Sequence, residues 1–181
     1  MTGVKFSVRD MVFTALFAAV LCAVAPFSFS VGPIPLSLAT FVIYLAAGAL
    51  DWKLGVLSVL LYILMGAIGL PVFTGFSGGF HKIAGVTGGY IIGYIPLAMA
   101  GGAISKAFGN KLWACAFGMV VGTVLLYTCG TAWFMLQTGS SLTASLTLCV
   151  IPFLPGDTAK IAVACVAAPK LRNAFLRTAQ T

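Results

Sequence analysis

The sequence predicts an all-α integral membrane protein, a bundle of six transmembrane helices, and two observations support this prediction. Hydrophobic residues make up 61% of the 181 residues and charged residues only 7%, whereas roughly a quarter of a soluble domain is charged. Apolar runs near the ~20 residues that a helix needs to cross the bilayer recur along the chain, which favours helices over a barrel of short strands. We expect residues 1–181 to form a single transmembrane domain.

The first three spans are separated by a proline-rich loop and a charged turn. Span one is expected at residues 10–29; its basic N-terminus imitates a signal peptide, but Pro26 and the apolar segment that follows favour a span. An uncharged loop at 30–35 contains two prolines and leads into a short span at 36–50. A charged turn at 51–53 carries an interfacial tryptophan, and span three follows at 54–70.

The second half of the chain begins with the longest segment predicted to be non-helical, residues 71–88, which contains five glycines. Span four is expected at 89–106, a turn at 106–111 and span five at 112–136. Residues 142–151 either begin a long sixth span or form a short interfacial helix. Two prolines and a glycine at 152–156 favour a break, because Pro155 suits the first turn of a new helix.

The basic residues predict the orientation of the bundle. With a cytoplasmic N-terminus, six spans place eight of the ten basic residues inside, leave Lys82 outside and put Lys160 within the last span. The opposite orientation would reverse this distribution. The positive-inside rule therefore predicts cytoplasmic termini and an outer glycine-rich loop between helices three and four. The eight inner residues are Lys5, Arg9, Lys53, Lys106, Lys111, Lys170, Arg172 and Arg177.

A stripe of small residues runs along span one. Ala15, Ala19 and Ala23 recur at four-residue spacing and so share one helix face. Small residues allow helices to approach closely in lipid, where apolarity alone does not drive association. The stripe could pack inside the bundle or bind a helix of a partner protein, and the residues alone leave both interpretations open.

Asp157 and Lys160 form the most conspicuous polar pair, because the chain has only three acidic residues. Their i,i+3 spacing puts both side chains on one helix face. Asp157 lies 13 residues before Lys170, or roughly 20 Å along a helix, which places the pair in the outer half of the bilayer. Buried charge is costly there. The pair is therefore either a structural ion pair or a polar anchor for a small ligand that enters from outside.

Other chemistry is less well supported by the sequence. Residues 75–79 match the G-x-S-x-G pattern around Ser77, and His81 and Asp157 would complete a hydrolase triad. The pattern requires a strand-turn-helix elbow, however, and no strand is predicted here.

The five cysteines lack C-x-x-C spacing and are expected to pack in the core. We expect no metal or cofactor, no ATP hydrolysis because a P-loop is absent, and no nucleic-acid partner, because the basic residues are scattered.

Four segments in order resemble the BioY family, the biotin-specific substrate-capture (S) components of energy-coupling factor (ECF) transporters. They are residues 32–38, residues 66–73 leading into 78–79, residues 87–90, and residues 152–157 with Lys160. The resemblance implies six transmembrane helices in a prokaryotic cell membrane and high-affinity capture of biotin at the outer side. It also implies docking onto a membrane scaffold (T) component with two cytoplasmic ATPases, and no enzymatic activity.

The resemblance also implies site residues. The family's two alanines four apart in the first helix correspond to Ala15 and Ala19, which are then expected to dock the partner. Many members read Gly-Gly-Ser-Gly-Gly where this chain has Thr-Gly-Phe-Ser-Gly-Gly at 74–79, a departure that affects the loop contacts. An S component for another vitamin, and a hydrolase using Ser77, stay as alternatives. The expected biotin-binding residues are Asp157, Lys160, Tyr90, Gly89, Phe73, Gly79, Gly78 and Ser77.

Overall fold

The computed structural model describes residues 7–30 and 34–177, which form eight helices and one two-stranded sheet. Lys5, Gly32 and Pro33, to which the predictions above refer, lie outside the described residues. The elements in chain order are α1 (Val8–Val24), β1 (Ser28–Ser30), β2 (Pro35–Ser37), α2 (Ala39–Ala49), α3 (Trp52–Ala67), α4 (Phe80–Ala84), α5 (Gly88–Ala107), α6 (Leu112–Thr138), α7 (Leu142–Cys149) and α8 (Leu154–Arg177).

The helical fold class is confirmed, and each predicted span corresponds to a helix or to the α7–α8 pair. Within the described part of the chain, α5 and α6 are long and apolar enough to cross a membrane, and the α7–α8 pair, bent by 50°, provides a third candidate. Helices α2 and α3 are apolar but shorter. The count of six spans stays a prediction.

The segment after span one differs from the prediction. Helix α1 ends at Val24 instead of continuing to residue 29, because Pro26 cannot donate the backbone hydrogen bond that a longer helix requires. The chain then forms an antiparallel hairpin in which Phe29 pairs with Leu36. The Ser37 hydroxyl donates to the Ala25 carbonyl (3.1 Å) and accepts from the Ala39 amide (3.0 Å). The hairpin is thereby fastened to the end of α1 and the start of α2.

The predicted non-helical segment at 71–88 contains one turn of helix, α4. Gly79 precedes it with a φ of +97°, a backbone angle that favours glycine, so the chain reverses sharply into the short helix. The predicted break before α8 lies at residues 150–153, and Pro155 occupies the first turn of α8 as predicted. Residues 142–149 therefore form a short separate helix.

The charged turn between α2 and α3 is held by Asp51. Its carboxylate accepts a hydrogen bond from the Lys53 amide, which caps α3, and pairs with the Lys106 ammonium at the end of α5. Partial burial raises the pKa of Asp51, but the hydrogen bonds and positive charges of Lys106 and Lys53 lower it by more, so the net shift is downward. The turn therefore links three helices at the end opposite the hairpin.

Candidate ligand-binding site

A cavity of about 40 Å³ lies where the hairpin meets the helical bundle. Strand β2 and the start of α2 form one side, and α5, α6 and the first turns of α8 form the others. Its lining combines a few polar groups with aromatic and aliphatic side chains, as is typical of small-molecule sites. We call it the inner cavity, and it is lined by Ile34, Pro35, Leu36, Ser37, Thr40, Tyr90, Tyr94, Leu126, Tyr127, Phe153, Asp157 and Lys160.

Asp157 is the buried anion of the inner cavity, with only 4% of its surface exposed. Its Oδ1 accepts hydrogen bonds from the Thr40 hydroxyl (3.2 Å) and the Lys160 ammonium (3.0 Å). Its Oδ2 accepts one from the Tyr127 hydroxyl (2.7 Å). The carboxylate also lies in the first turn of α8, where the helix dipole favours negative charge. Three elements, α2, α6 and α8, therefore converge on one carboxylate.

Lys160 is the buried cation beside it. Its ammonium donates to the Ser37 carbonyl (2.7 Å), the Thr40 hydroxyl (3.0 Å) and Asp157 Oδ1. An ammonium has three N–H donors, so these partners satisfy all of them. Both members of the pair are nearly enclosed, with side-chain exposures of 11% for Lys160 and 6% for Asp157. The pair thus ties α8 to α2 and to the hairpin, as the ion-pair interpretation requires.

Aromatic side chains form much of the remaining wall. Tyr90 reaches across from α5 and donates its hydroxyl to the Cys149 carbonyl at the end of α7 (2.9 Å). Tyr94 and Phe153 are also buried. A volume of about 40 Å³ accommodates only a few water molecules, whereas ligand pockets usually measure about 300–1,000 Å³. A vitamin-sized ligand therefore requires the inner cavity to widen.

A second cavity of about 470 Å³ adjoins the inner cavity at Pro35, which lines both. It lies between the hairpin and the segment that carries α4. We call it the outer cavity, and it is lined by Ser28, Pro35, Thr74, Gly75, His81, Lys82, Gly85, Val86 and Thr87.

Three of the eight predicted binding residues, Asp157, Lys160 and Tyr90, come together in the inner cavity. The other five line neither cavity. The Phe73 ring is buried against Gly66 and Tyr62, and Gly89 packs against Trp133 on α6.

The glycine-rich segment uses its residues to build its own backbone turns. Gly78 lies against the Leu70 carbonyl, where a side chain would not fit. Gly79 directly precedes α4, and the Ser77 hydroxyl donates to the Thr74 carbonyl (2.8 Å). Local packing and turn geometry therefore engage Ser77, Gly78, Gly79, Phe73 and Gly89, and their contact with a ligand stays a prediction.

Thr40, Ser37 and Tyr127 are site residues that the sequence analysis did not select. Tyr127 had a usable signal, since a polar side chain within an apolar span marks a functional candidate. Ser37 lies in the first segment that resembles the BioY family. Thr40, in the predicted span at 36–50, had the same signal as Tyr127, and it joins the site because α2 packs beside α8.

The residues of the alternative catalytic triad do not assemble. Ser77 bonds to Thr74, and the Asp157 carboxylate bonds to Thr40, Tyr127 and Lys160. Neither residue makes a hydrogen bond to His81 in the described chain. Across residues 7–30 and 34–177, no group of three potential metal-ligating side chains comes together.

The alanine stripe of α1 lies on the outside of the bundle. Ala15, Ala19 and Ala23 are exposed, whereas Thr14 and Phe17 on the opposite side of the helix are buried. The stripe does not pack within the described bundle, which leaves its face available to lipid or to another protein.

Comparisons with known proteins agree with this architecture. The model of the BioY family matches residues 1–177. The probable biotin transporter BioY of Pyrococcus horikoshii is 37% identical over 165 residues, which cover 91% of this chain and 97% of that protein. The biotin transporter BioY of Thermotoga maritima is 33% identical over 166 residues, or 91% of this chain and 96% of its own length.

A solved structure has the same fold. The crystal structure of the S-component for biotin from an ECF-type ABC transporter superposes with a TM-score of 0.83 and 26% sequence identity, covering 92% of each chain. The family match along nearly the whole sequence, the two relatives and the shared fold lead to one conclusion: this chain belongs to the BioY family.

Proposed function

We propose that this membrane protein is the biotin-binding component of a vitamin uptake transporter. It captures biotin at the outer side and delivers it together with an ATP-driven ECF module, which consists of a T component and two cytoplasmic ATPases. Membership of the BioY family and the likeness to a biotin S-component support the proposal. The observation that carries it is the buried Asp157–Lys160 pair at the aromatic wall of the inner cavity.

The chemistry of biotin suits this cavity. Its ureido group has two N–H donors and one carbonyl acceptor, so the Asp157 carboxylate can accept an N–H and the Lys160 ammonium can donate to the carbonyl. The thiophane ring and aliphatic chain of biotin suit the apolar walls. Biotin is the transported ligand, and we propose no resident cofactor, metal or catalytic role.

Ligand entry exchanges internal hydrogen bonds for bonds to biotin. The Lys160 bond to the Ser37 carbonyl joins the last helix to the hairpin, so its release would let the hairpin move and the inner cavity widen. Thr40 and Tyr127 would stay beside Asp157 and keep its carboxylate oriented, which reduces the entropy lost on binding.

Isothermal titration calorimetry of the purified protein with biotin, thiamine and riboflavin tests the proposal. We expect heat of binding from biotin only. Asp157→Asn should weaken biotin binding by about 30-fold or more, because loss of a buried charge-assisted hydrogen bond costs about 2–5 kcal/mol.

Asp51→Asn is the matched control, since Asp51 lies in a turn away from both cavities, and it should keep the biotin affinity of the wild type. Binding of thiamine or riboflavin instead of biotin would favour an S component for that vitamin. Unchanged affinity for biotin in a folded Asp157→Asn protein would refute the role of Asp157.

A further inference from the structure

We propose that Lys82 in the outer cavity binds the carboxylate of the incoming ligand and so selects the anionic vitamin over its neutral derivatives. This inference rests on the proposed function and adds to it a residue that determines specificity. Lys82 is half-buried in the wall of the outer cavity, which adjoins the inner cavity at Pro35.

The charge inventory of the chain leaves Lys82 without an acidic partner. Only three side chains carry a carboxylate, and each is engaged elsewhere. Asp10 accepts from the Ser7 amide, Asp51 pairs with Lys106, and Asp157 pairs with Lys160. A cation that lines a cavity and has no acidic side chain to neutralise it attracts an anion from solution.

The predicted orientation gives a second reason to expect a function for Lys82. Eight of the ten basic residues are expected on the inner side, where the positive-inside rule accounts for them. Lys82 is expected on the outer side, so insertion into the membrane does not explain its presence. The outer side is also where the ligand arrives.

The backbone around Lys82 is anchored to its surroundings. The Thr87 hydroxyl donates to the Lys82 carbonyl (3.4 Å). Two side chains of α6 hold the next residues: Gln137 Nε2 donates to the Ala84 carbonyl (3.0 Å) and Trp133 Nε1 to the Gly85 carbonyl (2.9 Å). The ammonium is therefore presented from a supported segment, which lowers the entropic cost of binding an anion.

The two cavities match the two ends of biotin. The ureido ring and the carboxylate lie at opposite ends of the molecule, joined by an aliphatic chain. With the ring at Asp157 and Lys160, the chain extends past Pro35 into the outer cavity and brings the carboxylate toward Lys82. An ammonium–carboxylate hydrogen bond there adds affinity that an ester or amide of biotin does not gain.

Calorimetry of the purified protein with biotin and with biotin methyl ester tests the inference. We expect the wild type to bind biotin about tenfold or more tightly than the ester, since a hydrogen bond to a charged group contributes about that factor. Lys82→Gln should weaken biotin binding by about tenfold and leave the ester unchanged. Lys82→Arg should retain most of the preference for biotin.

Lys53→Gln is the matched control, because Lys53 is exposed in the first turn of α3 and lines neither cavity; it should change neither affinity. Equal effects of Lys82→Gln on both ligands, or no effect on either, would overturn the inference. If the proposed function itself is wrong, the result differs, because the wild type would then bind neither biotin nor the ester.

Discussion

The Asp157 carboxylate and the Lys160 ammonium depend on each other for the stability of the fold, and both belong to the candidate site. Each group is nearly enclosed, and each has a hydrogen-bond partner on α2. The hairpin supplies a further acceptor to the ammonium, and α6 supplies a further donor to the carboxylate. Removing one member of such a pair leaves an uncompensated buried charge, which costs about 3–5 kcal/mol, whereas replacing both members by neutral groups is often tolerated. The same two residues therefore carry a structural role and a proposed binding role that mutations can separate.

Lys160→Met should lower the apparent melting temperature in detergent by about 10 °C, because it leaves the Asp157 carboxylate buried without a cationic partner. The double variant Asp157→Asn with Lys160→Met should recover most of that loss, since no buried charge remains, and yet fail to bind biotin. Thermal unfolding and calorimetry on the same samples measure both quantities. A double variant as unstable as Lys160→Met would mean that the two charges do not act as a pair.

Close packing of α5 against α6 sets the width of the inner cavity, because Tyr90 and Tyr127 line it from these two helices. Glycines bring the helices together. A Cβ at Gly89 would overlap the Cβ of Trp133 and lie 2.8 Å from the Cys129 carbonyl oxygen. Gly89 thus allows α5 and α6 to pack closely, and it directly precedes Tyr90, which lines the inner cavity.

Gly89→Ala should destabilise the protein by about 1–3 kcal/mol, as overpacking does, and weaken biotin binding by displacing Tyr90. Gly55→Ala in α3 is the matched control, because the nearest atoms to its added methyl lie at 3.8 Å, an ordinary contact. It should be neutral or slightly stabilising, since alanine is preferred over glycine in helices by about 1 kcal/mol. Equal melting temperatures for the two variants would contradict the packing argument.

The bundle as a whole presents the alanine stripe of α1 away from the cavities and toward its surroundings. Apolar side chains flank the stripe, including exposed Leu16 and Val20, so the surface is suited to lipid or to an apolar partner helix. Small residues permit the close backbone approach on which helix association in lipid depends. We therefore keep Ala15 and Ala19 as the proposed docking site for the T component.

Ala15→Trp with Ala19→Trp should abolish most uptake of labelled biotin by cells that also produce the ECF module, because two indole rings hold the partner helix away. The affinity of the purified protein for biotin should stay that of the wild type. Ala162→Trp, at an exposed alanine on α8, is the control and should support uptake. Normal uptake by the α1 variant would show that the docking surface lies elsewhere.

The sequence by itself determined the helical class, the approximate helix positions, the break before α8 and the presence of a buried Asp157–Lys160 pair. Lipid offers no hydrogen bonds to the backbone, so each span satisfies its own polar groups within a helix and leaves a local apolar signature. Charge is so scarce in this chain that one buried ion pair is conspicuous. Both signals are readable without knowledge of which helices are neighbours.

The tertiary structure alone decided the hairpin, the short helix α4 and the partners of the ion pair. Strands of three residues are too short to show the alternation that predicts a strand. The bonds of Thr40 to Asp157, and of Lys160 to Thr40 and Ser37, join residues 117 to 123 positions apart. Such contacts depend on how α2 packs beside α8, and no local sequence pattern encodes that packing. Through these contacts the two charged side chains become part of the cavity wall.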